Sequence, residues 1–312
     1  MPKGPLAMAD AEQRDAIPHR SGYVALLGRP NVGKSTLLNH LVGQKISITS
    51  PRPQTTRDQI LGILTRPDAQ LLFLDTPGIH QGYRSLNRHL LRAARGALEM
   101  ADVGVLMVEA LVWGPEDEQA LRWLLQAGIP LVAVVNKVDR VKRKERLLPF
   151  LVDLGRRGDF AGILPLSARK PADAGRLADL IVPLLPPAPA SFAEDLVTDR
   201  NLRFMAAEII REQLFRQLGE ELPYDTAVAI ESYQETGGQQ RIEATIYCRR
   251  PGQKGIILGQ GGSRLRSIGE RARLALEQLT GGSVWLGLWV KQREQWAEDR
   301  ALLRELGYDG DR

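Results

Sequence analysis

Short apolar segments recur along the first part of the chain, separated by turns or by segments with helical periodicity. They occupy residues 23–27, 71–75, 103–109, 131–136 and 163–166. Continuous apolar strands that alternate with helices are typical of a mostly parallel sheet covered on both faces. Residues 59–65 lie just before the second segment, and we expect them to pair with it as an antiparallel edge strand.

The pattern changes after a proline-rich stretch. Pro186, Pro187 and Pro189 cannot lie inside a helix or a central strand, so this stretch is predicted to be a semi-rigid linker between domains. Helical or alternating periodicity then follows at residues 201–218, 227–235, 241–248, 253–258, 263–279 and 283–291. Gly237 and Gly238 supply the turn of a hairpin. The predicted order is α-β-β-α-α-β.

Composition adds limits on location and partners. A chain of 312 residues favours two domains. The net charge of +5 favours a polyanionic partner, although neutral housekeeping enzymes also carry such a surplus. The single cysteine, Cys248, excludes an internal disulfide and indicates a reducing compartment. No segment is apolar for the roughly 18 residues that a bilayer span needs. We expect a cytoplasmic protein whose membrane contact, if any, is peripheral.

The strongest motif is Gly-Arg-Pro-Asn-Val-Gly-Lys-Ser at residues 28–35, between an apolar strand and a helical segment. The pattern G-x-x-x-x-G-K-S in this context predicts a phosphate-binding loop, whose backbone N–H groups point at phosphate oxygens. Lys34 is expected to reach the β- and γ-phosphates, and the Ser35 hydroxyl to ligate Mg²⁺. The other predicted cofactor contacts of this loop are Asn31, Val32, Gly33 and Thr36.

Three further motifs follow in order, each at the carboxyl end of a predicted strand. Asp75 would hold Mg²⁺ through water, and the Gly78 N–H would sense the γ-phosphate. In Asn136-Lys137-Val138-Asp139, the last carboxylate can accept two hydrogen bonds from guanine, where adenine offers an acceptor instead. A backbone N–H of Ser167-Ala168 can meet guanine O6. Together these motifs predict GTP and GDP as ligands.

The residues between these motifs bear on hydrolysis. Thr56, or failing that Thr55, could complete Mg²⁺ coordination only when the γ-phosphate is present, or could belong to a simple turn. Ile79 lies where many small GTPases carry a water-orienting glutamine, so slow hydrolysis is expected. Asn31 suggests potassium-stimulated hydrolysis. His80 invites a general-base role, but a surface position is the better interpretation. Lys34, Thr56, Gly78 and Asn31 are the predicted catalytic residues.

A glycine loop, Gly259-Gln260-Gly261-Gly262, separates the two later helices of the second domain. In the order α-β-β-α-α-β it matches a type II KH fold, whose G-x-x-G loop lets a nucleic-acid backbone pass closely. A tight helix–helix turn is the alternative. The middle positions lack the basic residue that many such loops carry, so phosphate attraction is assigned to Lys254, Arg264 and Arg266.

Two sets of residues keep alternative interpretations. Trp285, Trp289 and Trp296 could stack on bases, but Trp285 and Trp289 alternate on one strand face and could equally serve a core or an interdomain contact. The basic residues of 141–146 form either a solvated helix face, which we favour, or a ribosomal contact. Residues 292–306 are predicted to form an amphipathic terminal helix that packs on the domain.

The chain resembles the bacterial Era GTPases over nearly all of its length after about residue 20. The matching pieces lie at residues 28–39, 43–50, 54–57, 75–78, 136–139, 199–200, 203–206, 208–212, 221–224 and 288–291. The resemblance implies a Ras-like P-loop G domain with a mostly parallel sheet, an α/β fold, followed by a smaller α+β type II KH domain. It also implies binding near the 3′ end of small-subunit ribosomal RNA, a role in assembling the small ribosomal subunit, and peripheral association with the inner face of the plasma membrane.

The resulting domain prediction has five parts. It consists of a disordered extension (1–20), the GTPase domain (21–185), a linker (186–200), the KH domain (201–291) and a terminal helix or tail (292–312). We expect a monomeric RNA-binding assembly GTPase. The alternative is a signalling GTPase whose second domain docks a protein or membrane partner. A tRNA-modification GTPase is disfavoured because no catalytic cysteine or cofactor domain follows the G domain.

Overall fold

The structure is a computed structural model that describes residues 18–50, 59–76, 95–219, 222–294 and 296. These residues contain a six-stranded sheet of order β2-β3-β1-β4-β5-β6. Its strands are β1 (Arg20–Leu27), β2 (Ile60–Thr65), β3 (Ala69–Asp75), β4 (Val103–Glu109), β5 (Leu131–Asn136) and β6 (Gly162–Pro165). Only the edge strand β2 is antiparallel to its neighbour; the other pairs are parallel. The predicted sheet and its antiparallel edge are therefore confirmed.

Helices cover both faces of this sheet. Among the described residues they are α1 (Lys34–Val42), α2 (Pro115–Ala127), α3 (Leu147–Gly155) and α4 (Pro171–Ile181), and residues 95–100 are also helical. Val24, Leu26 and Phe73 point to one face and pack with α1 and α4, whereas Ala25 and Leu27 point to the other and pack with α2. Every residue of β3 and β5 is buried, which explains why these strands read as unbroken apolar segments.

The second sheet has three strands in the order β7-β8-β9. The elements of this half are α5 (Leu202–Gln217), β7 (Thr226–Thr236), β8 (Gln239–Cys248), α6 (Pro251–Leu258), α7 (Ser263–Thr280) and β9 (Ser283–Gln292). The hairpin β7–β8 turns at Gly237 and Gly238, both at positive φ, and β9 pairs parallel to β8. The predicted order α-β-β-α-α-β is confirmed, with ends that differ by up to two residues.

The proline-rich connection is attached to the first sheet rather than free. The side chain of Gln70 is completely buried and exchanges hydrogen bonds with the backbone of Ser191 and Phe192. Farther along, Ile63 N donates to Val197 O at 2.9 Å, which extends the sheet beyond β2. The linker therefore runs along the sheet edge, and α5, which follows it, lies against the first domain.

Other expectations about the chain have mixed outcomes. Cys248 is buried in β8, where alternate residues from Ile242 to Cys248 are buried. The predicted terminal helix at 292–306 falls mostly outside the described residues. Within the part of the chain that the structure describes, no helix is both long and apolar enough to cross a membrane.

Candidate functional site

The phosphate-binding motif forms the loop between β1 and α1, as predicted. Two of its glycines have left-handed backbone conformations, Gly28 at φ +156° and Gly33 at φ +112°. A Cβ at Gly28 would lie 2.3 Å from Met107 O, and one at Gly33 would lie 2.3 Å from Nδ2 of Asn136. Each of the two positions therefore requires glycine for two reasons, the backbone conformation and the lack of space for a Cβ. Asn31 also has positive φ, at 59°.

Lys34 is the first residue of α1 and is buried. Its ammonium group donates to the carbonyl oxygens of Gly28 (2.9 Å) and Arg29 (3.2 Å), so the cation lies inside the curl of the loop. Burial lowers the pKa of Lys34 to about 8, and Asp75 acts in the opposite direction. A desolvated cation in a loop of backbone donors is suited to binding phosphate oxygens.

Asp75 ends β3 beside this loop and is fully buried. Its Oδ2 accepts hydrogen bonds from the hydroxyls of Ser35 (2.8 Å) and Ser47 (3.0 Å). Among the described residues, nothing donates to Oδ1 of Asp75. Burial raises the pKa of this carboxyl, and Lys34 and the two hydroxyls oppose the shift. The predicted pair Ser35 and Asp75 is thus brought together, and Ser47 is an addition that the motifs did not indicate.

A magnesium ion fits this arrangement. Its coordination in phosphate-transferring proteins uses one or two protein oxygens together with phosphate oxygens and water. Ser35 and the buried carboxylate with one unengaged oxygen match that requirement. The described residues contain no group of three or more His, Cys, Asp or Glu side chains that could hold a metal alone, so the remaining ligands would have to come from elsewhere.

Asn136 joins three parts of the site through its buried side chain. Its Nδ2 donates to Val32 O (2.7 Å) in the phosphate-binding loop. Its Oδ1 accepts from the backbone N–H groups of Lys137 (2.6 Å) and Ala168 (2.8 Å). The position is therefore a structural link between the loops at the ends of β1, β5 and β6, a role that the motif alone did not indicate.

The predicted base-reading residues lie next to this link. Asp139 is exposed, and a hydrogen bond from Ser167 lowers the pKa of its carboxyl below the usual value. Ser167 N donates to Asp173 at 2.9 Å, which fixes the loop after β6. The backbone N–H of Ala168 is engaged by Asn136, so a guanine O6 would have to share it. The sequence did not specify which N–H of Ser167-Ala168 meets guanine O6, and that contact stays a prediction.

A chain of charges borders the base-reading loop. Glu109, at the end of β4, accepts from Arg29 at 2.7 Å and from Nζ of Lys137 at 2.8 Å. Lys137 has φ +63°, and the ion pair holds its side chain across the site. Glu109 lies in no motif, and only its position at the end of a buried strand could have drawn attention to it.

The remaining predicted site residues of the first domain, Thr55, Thr56, Gly78, Ile79 and His80, lie outside the described residues.

The glycine loop of the second domain connects α6 to α7. Gly259, Gly261 and Gly262 all have positive φ, and a Cβ at Gly259 would lie 2.8 Å from the Cβ of Arg264. Gln260 and Gly261 are exposed at the tip. The three predicted phosphate-attracting residues, Lys254, Arg264 and Arg266, are exposed around the loop. Arg264 also donates to Ile256 O at 2.6 Å, so it braces the loop.

The tryptophans and the basic residues separate into different environments. Trp285 and Trp289 are 42% and 46% exposed, which contradicts a core role, and Arg241 stacks on Trp285 at 4.4 Å. Trp296 is buried and donates to Asp225 O, so the expectation that it could stack on bases is wrong. Residues 142–146 are exposed in a loop and a short 3-10 turn rather than along a helix.

Comparisons with known proteins agree with both halves of this description. A family model described as 50S ribosome-binding GTPase matches residues 23–137, and a KH domain model matches residues 221–297. GTPase Era of Stenotrophomonas maltophilia is 53% identical over 296 residues, which are 95% of this chain and 99% of the relative. GTPase Era of Xanthomonas axonopodis is 53% identical over 94% of this chain and 98% of the relative. The chain belongs to the Era GTPase family.

Solved structures of the family have the same fold. The chain matches a crystal structure of an Aquifex aeolicus Era variant bound to GDP and AlF₄⁻, with a TM-score of 0.88 and 38% identity over 93% of this chain and 99% of that one. A crystal structure of Era in complex with MgGDPNP and nucleotides 1506–1542 of 16S ribosomal RNA matches with the same figures. The predicted fold class and family are confirmed, and the chain is a GTPase with a KH domain.

Proposed function

We propose that this GTPase is a switch that binds single-stranded RNA near the 3′ end of small-subunit ribosomal RNA and assists assembly of the small subunit. The observation that carries the proposal is the match, over 93% of this chain, to an Era structure that holds MgGDPNP and nucleotides 1506–1542 of 16S ribosomal RNA. In this chain the phosphate-binding loop and the exposed glycine loop are the regions to which we assign the nucleotide and the RNA.

The geometry of the first domain supports a nucleotide role for its described residues. Lys34 binds the β- and γ-phosphates, aided by the backbone N–H groups of residues 31–36 at the start of α1. Asp139 reads guanine, because its carboxyl stays ionised and exposed at the end of β5. Lys137 borders the base, held by Glu109. Gly78 and Thr56 are assigned the response to the γ-phosphate from the sequence alone.

Magnesium is assigned to Ser35, Asp75 and Thr56, with Ser35 as a direct ligand and Asp75 acting through water. Bound magnesium neutralises charge on the phosphate oxygens. Ser35 would supply its hydroxyl oxygen to the metal, and Ser47 would hold the Asp75 carboxylate. Hydrolysis is slow because Ile79 cannot orient water.

Potassium is proposed to stimulate hydrolysis through Asn31, whose backbone has positive φ in the phosphate-binding loop. An amide oxygen at this position could help bind a monovalent cation where other GTPases use an arginine. The test compares rates in K⁺ and Na⁺ for the wild type and Asn31→Ala. Loss of the K⁺ advantage in the variant is expected; an unchanged K⁺/Na⁺ ratio would refute the assignment.

Domain limits are proposed at the predicted positions, with the linker over residues 186–200 and the KH domain over 201–291. A monomer in the cytoplasm, with peripheral contact to the inner face of the plasma membrane, remains the expectation from the resemblance. The enzyme acts mainly as a timer: GTP changes the RNA access of the KH domain, and hydrolysis releases it.

The RNA half is tested with a pyrimidine-containing single strand from the small-subunit 3′ end. Affinity should fall as salt rises, since phosphate contacts release counterions. Gly259→Ala should weaken binding at least about tenfold, because its Cβ would collide with Arg264 at a positive φ. Gly255→Ala is the matched control, because a Cβ there meets nothing within 4 Å. Equal RNA affinity of both variants would contradict the assignment of the glycine loop.

A further inference from the structure

A buried carboxylate of the second domain lies against a segment that contacts Asp75 of the proposed magnesium site. Glu212 of α5 has no exposed side-chain surface. Its Oε1 accepts from the backbone N–H (3.2 Å) and hydroxyl (3.3 Å) of Thr49, and its Oε2 accepts from Lys45. Arg216 completes the cluster with a 2.9 Å hydrogen bond to Oε1. The carboxylate thus gathers donors from residues 45–49 of the first domain.

Residues 45–49, which we name the strap, reach the nucleotide site through their middle residue, Ser47. The buried Ser47 hydroxyl donates to Oδ2 of Asp75 at 3.0 Å. Asn39 of α1 fixes the backbone of Ser47: its Oδ1 accepts from Ser47 N (2.9 Å) and its Nδ2 donates to Ser47 O (2.7 Å). The strap has no helix or strand of its own, so these side-chain bonds and the buried side chains of Ile46 and Ile48 determine its position.

We infer that Glu212 is a positioning residue for Asp75, acting across the domain boundary through Thr49 and Ser47. The inference rests on the proposed function, since it assigns regulation to the proposed magnesium site. A shift of α5 that pulls Thr49 displaces Ser47 and leaves the Asp75 carboxylate without its second hydroxyl donor. By linkage, a change at the magnesium site alters how tightly α5 is held, and the effect is reciprocal.

Several observations favour a coupling role over a simple interdomain contact. Buried carboxylates are costly unless fully bonded, and this one is bonded mainly to a loop of another domain. Thr49, which contacts Glu212, is only two residues from Ser47, which contacts Asp75, so a displacement of Thr49 also moves Ser47. The described hydrogen bonds to the Asp75 side chain come from hydroxyls alone, so losing the Ser47 hydroxyl changes the position of the carboxylate.

The test measures how the dissociation rate of a fluorescent GDP depends on Mg²⁺ concentration, using the full chain. Glu212→Gln keeps the shape and removes the charge that orders Thr49. We expect the Mg²⁺ concentration for half-maximal slowing to rise about tenfold, with an unchanged rate in EDTA. Ser47→Ala should give a similar shift, and the double variant should shift no further than either alone.

Two controls separate coupling from loss of structure. Glu208→Gln removes an equally buried carboxylate one turn earlier on α5, where it pairs with Arg211 and not with the strap. It should shift the Mg²⁺ dependence less than twofold. Thr49→Val, which loses only the hydroxyl donation to Glu212, should produce a smaller shift in the same direction. If Glu208→Gln and Glu212→Gln have equal effects, the inference is wrong.

A second readout needs neither metal nor nucleotide. The Thr49 amide donates to Glu212, so its hydrogen exchange should accelerate at least about tenfold in Glu212→Gln, whereas a strap ordered independently of α5 would show no change. Additive shifts in the Ser47→Ala and Glu212→Gln pair would also overturn the inference. If wild-type dissociation showed no Mg²⁺ dependence at all, the proposed magnesium site would fail instead, and the exchange experiment would still decide the contact.

Discussion

Replacing Asn136 by Ala should destabilise the protein even when no nucleotide is bound. The buried side chain makes three hydrogen bonds, to Val32 O, Lys137 N and Ala168 N. Each bond contributes about 1 kcal/mol net, and the abandoned backbone groups are left buried. The expected loss is roughly 3 kcal/mol in the free energy of unfolding of the first domain.

The assay is urea denaturation of the nucleotide-free protein, followed by circular dichroism. Asp139→Ala is the matched control from the same motif. Its side chain is exposed, so stability should change by less than about 0.5 kcal/mol while GTP affinity falls at least about a hundredfold. Asn136→Ala should lower both quantities. If it weakens GTP binding but leaves the unfolding free energy within about 1 kcal/mol of wild type, the linking role of Asn136 is refuted.

A glycine variant with its control, and a thiol reagent, test two local features of the fold. Gly28→Ala should reduce GTP affinity at least about tenfold, because the new Cβ would lie 2.3 Å from Met107 O. Gly96→Ala is the control: its Cβ would meet nothing within 4 Å, so GTP affinity should not change in the same titration. Burial raises the pKa of the Cys248 thiol, so at pH 8 less thiolate forms than in a free thiol. A thiol reagent should therefore label the native protein slowly and the urea-unfolded protein at once. Rapid labelling of native protein would mean that β8 opens easily.

The sequence was most informative where a pattern repeats locally. The strands β4 and β5 were predicted at their observed bounds because both are continuous apolar segments. The phosphate loop was recognisable because glycines at fixed spacing meet a strict backbone requirement. Such features depend on neighbours in the chain, so periodicity and motif spacing suffice to find them.

Contacts between distant segments were not predictable in the same way. Ser47 and Glu212 lie in pieces that resemble the family, but nothing local indicates that one meets Asp75 and the other meets Thr49. Trp296 could not be distinguished from Trp285 by composition, yet one is buried and the other exposed, because only the former packs on Ala227 and Ala229. The hydrogen bond from Ala168 N–H to Asn136 was not predictable either, because the two residues are far apart in the chain.

RNA crosslinking with sequencing, in the presence of a non-hydrolysable GTP analogue, tests the central claim most directly. The account predicts enrichment at the 3′ end of small-subunit ribosomal RNA, reduced in the Gly259→Ala variant and retained in Gly255→Ala. Crosslinks scattered over messenger RNAs, with none at that 3′ end, would contradict the assembly function.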